Sequence, residues 1–168
     1  GSNCGKGVTQ IVDAENFLHA HPGQVSFVTI DIGGNDASGC VSAAGVDATC
    51  SANASAQIQT NLTTILARLQ AASPGIRVYG MTYYVPSLAY WLTGASGQRV
   101  ARDSVPAGDA FNTELTQIYT AAGFPTADVA GAFANDNLAL TGSYAGQTVP
   151  QNVANLCNWT LVCSNNDV

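Results

Sequence analysis

Residues 28–36 read Val-Thr-Ile-Asp-Ile-Gly-Gly-Asn-Asp. A short apolar run rich in β-branched residues predicts a buried strand. Two glycines stop it, and an Asn-Asp pair follows at once. Ligands in open α/β sheets bind beyond the carboxyl ends of parallel strands, so Asn35 stands where chemistry is expected. Its neutral amide can donate a hydrogen bond to a developing oxyanion without giving up a proton. The other reading of Asn35 is a turn residue that ends the strand.

On either side of this stretch, strand and helix patterns alternate. Residues 8–20 predict a helix, ended by His21-Pro22-Gly23. Residues 25–32 hold the first strand, and 37–52 predict a polar loop. Over 54–72, Ile58, Leu62, Ile65, Leu66 and Leu69 share one helical face. Ser73-Pro74-Gly75 breaks that helix. A strand over 76–81, a helix over 107–122, a short strand over 126–129 and a helix over 150–157 complete the pattern. The alternation predicts an α/β fold with a parallel sheet covered by helices. It also predicts one domain over 1–168.

The 168 residues are 46% hydrophobic and 10% charged, with a net charge of −6. Such a chain can bury a core. Lys6 is the single lysine, and no basic patch exists for nucleic acid or an anionic membrane surface. No apolar run reaches the length of a membrane span. Nothing in the sequence asks for an obligate protein partner.

Of the five cysteines, Cys40 and Cys50 flank one loop and Cys157 and Cys163 flank another. Neither pair has zinc-ligand spacing, and no metal is expected. Two local disulfides, Cys40–Cys50 and Cys157–Cys163, in an oxidising compartment are one reading. Five buried thiols in a cytosolic protein are the other. Cys4 has no evident partner.

Gly33-Gly34-Asn35-Asp36 after an apolar strand resembles the GxND block of the SGNH (GDSL-type) hydrolases. His21-Pro22-Gly23-Gln24-Val25-Ser26 before the strand and the cysteine-bounded loop after it resemble the secreted bacterial esterase and lipase branch. Val78–Tyr84 resembles the next core strand, and the Cys157–Cys163 segment resembles the run into the final block. The resemblance implies a flavodoxin-like three-layer α/β/α fold and ester hydrolysis without a cofactor. It implies a serine nucleophile, a histidine base and an oxyanion hole that includes Asn35. Gly33 belongs to the same block. Gly34, Tyr83 and Tyr84 are candidate substrate-binding residues, and Tyr83 and Tyr84 could equally be packing residues.

The chain departs from that pattern in several places. The Gly-Asp-Ser block, the glycine block and the His-Pro block are absent. His21-Pro22 precedes the GxND block instead of following it. Asp167 is a candidate triad acid, although the family spacing puts the acid at the position of Asn166. The expectation is therefore a fragment, incomplete at its N-terminus and inactive by itself. Its first visible strand would have an unpaired edge, which predicts poor stability or self-association. The alternative is a non-catalytic SGNH-like domain that binds an acylated or carbohydrate ligand.

Overall fold

The computed structural model describes residues 8–164. Cys4, Asn166 and Asp167 lie outside the described residues. In chain order the elements begin with α1 (Gln10–Ala20), β1 (Phe27–Thr29), α2 (Gly34–Ser38), β2 (Val41–Ser42), β3 (Gly45–Val46) and α3 (Ala48–Ala72). Then come β4 (Arg77–Met81), a 3-10 segment (Pro86–Thr93), α4 (Ala95–Ala121), β5 (Thr126–Ala127) and α5 (Val129–Ala132). A hairpin of β6 (Gly142–Tyr144) and β7 (Gln147–Val149) leads into α6 (Gln151–Trp159).

The central sheet is parallel, in the order β1-β4-β5. Strands alternating with helices give the expected α/β fold. Val28 pairs with Val78 at the sheet centre, and Val78 is fully buried. Gly80 is needed beside it, because a Cβ there would strike the ring of Tyr119 from α4. One core joins the sheet to α1, α3 and α4 through Leu18, Leu62, Leu66, Leu115 and Tyr119. Arg68 of α3 forms an ion pair with Glu15 of α1 along that seam. Phe27 and Tyr79 point the other way and meet edge to face at 5.9 Å on an exposed surface.

A second core lies between the 3-10 segment, the first half of α4 and α6. Leu88, Ala101, Val153 and Leu156 are its centre. Helix α4 spans both cores, which explains its length. The sequence predicts this helix over 107–122, yet α4 begins at Ala95 and runs through Pro106. Proline removes one helical hydrogen bond. Val100, Ala101, Ser104 and Val105 are all buried in this first half, and that packing offsets the loss.

The loop expected over 37–52 is structured. It holds part of α2, the β2–β3 hairpin and the first turn of α3. Asp47 caps α3 by accepting from the Cys50 N–H at 2.9 Å. Both local disulfides form, Cys40–Cys50 and Cys157–Cys163. Among the described residues no helix is long and apolar enough to cross a membrane.

Candidate active site

The last hydrogen bond of β1 is from the Ile30 N–H to the Tyr79 carbonyl at 3.0 Å. The chain then leaves the sheet through Asp31 and Ile32. Gly33 turns it with φ of 105°, a conformation that disfavours any side chain. The turn closes when the Asp36 and Ala37 N–H groups donate to the Gly33 carbonyl at 3.1 and 3.2 Å. Helix α2 follows, and the Ser38 hydroxyl donates to the Asn35 carbonyl at 3.1 Å. Asn35 is exposed on this turn.

Asn35 lines an open cleft of about 1130 Å³. Gly33, Gly34, Tyr83 and Tyr84 line the same cleft, so five candidates from two separate stretches are brought together. Ile58 of α3 and Phe111 of α4 support the turn from below. A Cβ on Gly33 would sit 3.4 Å from Ile58 and 3.5 Å from Phe111. The Ser55 hydroxyl donates to the Glu114 carboxylate and ties α3 to α4 at the cleft wall.

Tyr83 packs on Phe111 with ring centroids 5.6 Å apart. Burial, then a hydrogen bond to Asp31 and the charge of Asp31, hold its phenol far above the ordinary value. A backbone hydrogen bond from Gly34 opposes them. The phenol therefore stays protonated and neutral at ordinary pH. Tyr84 stacks on Phe133 at 4.8 Å, and Phe133 meets Trp159 edge-on at 5.1 Å.

Among the described residues no histidine lines this cleft. His21 donates from Nδ1 to the Phe17 carbonyl at 2.8 Å and stacks on the Phe17 ring at 4.2 Å. That contact accounts for the His-Pro pair as a helix end. Sequence reasoning missed Asn112, which is buried at 6% exposure and bonds the backbone of Tyr83. The signal was available: Asn112 shares a helical face with Leu115 and Tyr119, and a polar residue there needs a partner.

A protein-family model matches residues 4–149, that of the GDSL-like lipase/acylhydrolase family. The chain belongs to the GDSL-like lipase/acylhydrolase family. No curated protein and no solved structure matches it. Membership brings hydrolase chemistry and the α/β fold with it. In this acylhydrolase-family chain, the matched region contains the Gly33–Asp36 turn, α3, Tyr83, Tyr84 and α4, all of which line the cleft.

Proposed function

We propose that the chain serves carboxylester hydrolysis and that Asn35 supplies the side-chain donor of the oxyanion hole. One observation carries this reading: Asn35 is exposed on a turn at the carboxyl end of a parallel strand, inside the one cleft it shares with Gly33, Gly34, Tyr83 and Tyr84. A fixed donor at that place stabilises the negative oxygen of a tetrahedral intermediate. The nucleophile is a serine activated by a histidine, because a serine hydroxyl reacts only once a base takes its proton. Among the described residues no histidine lines the cleft, so in this reading the base lies outside residues 8–164. Asp167 is the acid assigned to that histidine. The two disulfides fit a secreted protein.

The test is Asn35→Ala in the protein as encoded by its gene, with ester turnover as readout. The expected loss in kcat is roughly 10²–10³. A loss under about threefold means another donor carries the hole.

A cleft without a histidine among the described residues is also compatible with a second reading, a non-catalytic domain that holds an acylated or carbohydrate ligand there. The flanking coding sequence separates the two. An in-frame Gly-Asp-Ser block upstream and a His-Pro block downstream support the hydrolase. Start and stop codons at the ends of the 168 residues support the binding domain.

A further inference from the structure

Strand pairing between β4 and β5 ends at Met81, and the Thr82 N–H still donates to the Ala127 carbonyl at 3.0 Å. Tyr83, the next residue, turns to a side chain for its backbone partners. Asn112 Oδ1 accepts from the Tyr83 N–H at 2.7 Å, and Asn112 Nδ2 donates to the Tyr83 carbonyl at 2.9 Å. Asn135 Nδ2 donates to the same carbonyl at 2.9 Å. Asn135 is itself anchored, since its carbonyl accepts from Asn152 Nδ2 at 2.7 Å. A side-chain amide that meets both polar groups of one residue does what a neighbouring strand would do.

Tyr83 passes this constraint on. Its ring covers Gly34, so that Cε1 lies 2.6 Å from where a Cβ would stand. Phe111, the neighbour of Asn112, touches both Tyr83 and the Cβ position of Gly33. Two adjacent residues of α4 thus act on the turn, one through the Tyr83 backbone and one directly.

We infer that Asn112 is a positioning residue: it holds Tyr83 so that the ring fixes the Gly33–Gly34 turn and with it the presentation of Asn35. The functional meaning rests on Asn35 as the oxyanion donor. The chain of contacts does not.

Amide hydrogen exchange by NMR on the protein as encoded by its gene tests it. The Asp36 and Ala37 N–H groups close the turn on the Gly33 carbonyl and so report on it. In Asn112→Ala their exchange should rise about tenfold, the size of one net hydrogen bond. Leu66 and Val153, one in each core, should keep their protection. Unchanged exchange at Asp36 and Ala37, with a faster Tyr83 amide, overturns the inference.

Tyr83→Ala truncates a side chain that is only partly buried, and it serves should the first variant lose its core. It should reproduce the faster exchange at Asp36 and Ala37, and Asn112→Ala should add nothing on top. No change in Tyr83→Ala, or a full Asn112 effect persisting in that background, rejects the route through Tyr83. Exchange does not measure turnover, so failure here is distinct from failure of Asn35→Ala to lower kcat.

Discussion

The Tyr83 ring lies flush on Gly34, with Cε1 2.6 Å from the position a Cβ would take. Gly34 stands in α2, where an alanine would otherwise be the better helix former. Its lack of a side chain is thus explained by the ring and not by the backbone.

Gly34→Ala should therefore destabilise the protein by about 1–3 kcal/mol through overpacking. The urea midpoint measures this. In a Tyr83→Ala background the same alanine should be neutral or slightly stabilising. An equal cost in both backgrounds would show that Tyr83 is not the obstacle.

Asn35 is exposed, and its replacement removes no core contact. Asn35→Ala should change stability by less than about 0.5 kcal/mol. In the protein as encoded by its gene, kcat should carry the loss while KM stays nearly constant, as expected for a donor that acts in the transition state. A rise in KM with constant kcat would assign Asn35 to substrate binding.

Tyr119 is fully buried and its hydroxyl has no hydrogen-bond partner. Burial, with the charge of Asp31 behind it, pushes the phenol from 10.0 up to about 12. A group whose folded pKa is raised contributes stability that is complete below the unfolded value and is lost as pH rises through the folded one. Stability should thus fall between pH 10 and about 12, by up to about 2–3 kcal/mol for this residue. Tyr119→Phe should flatten the fall and cost little at pH 7, because no hydrogen bond is broken. Denaturant titrations at several pH values measure both effects. An identical pH dependence in Tyr119→Phe would contradict the assignment.

The disulfides close sequence separations of 10 and 6 residues. On the loop-entropy model each stabilises by about 2–3 kcal/mol. Cys40→Ser with Cys50→Ser should lower the melting temperature and leave the Asn35 turn intact. Cys157→Ser with Cys163→Ser should cost slightly less, because its loop is shorter while Cys40 and Cys157 are both buried. Calorimetry of the two double variants should rank them in that order; a larger loss for the Cys157–Cys163 pair would mean that packing in the second core outweighs loop closure.

Parts of the site were legible locally. The β-branched run does form a strand, but β1 is shorter than the expected 25–32 and lies at the edge of the described sheet with Phe27 and Thr29 exposed. The glycines make the turn beyond it, where backbone sterics put one. The apolar face of Ile58, Leu62, Leu66 and Leu69 is the buried face of α3. The loop over 37–52 was misread because its Ser, Ala and Gly content hid a cap at Asp47 and a hairpin. The β6–β7 hairpin was also missed. Its turn runs through Ala145 and Gly146, both at positive φ, and Ala is an uncommon residue for that conformation.

From the chain alone came the turn at Gly33 and Gly34, the α3 stripe and the two cysteine pairings. Each depends on neighbours within a few residues, where sterics and periodicity act. Only the tertiary structure brought Asn112 to Tyr83, 29 residues away, and carried α4 through Pro106. A buried amide finds its partner, and a helix tolerates a proline, according to what packs against it from elsewhere in the chain. No local pattern contains that information.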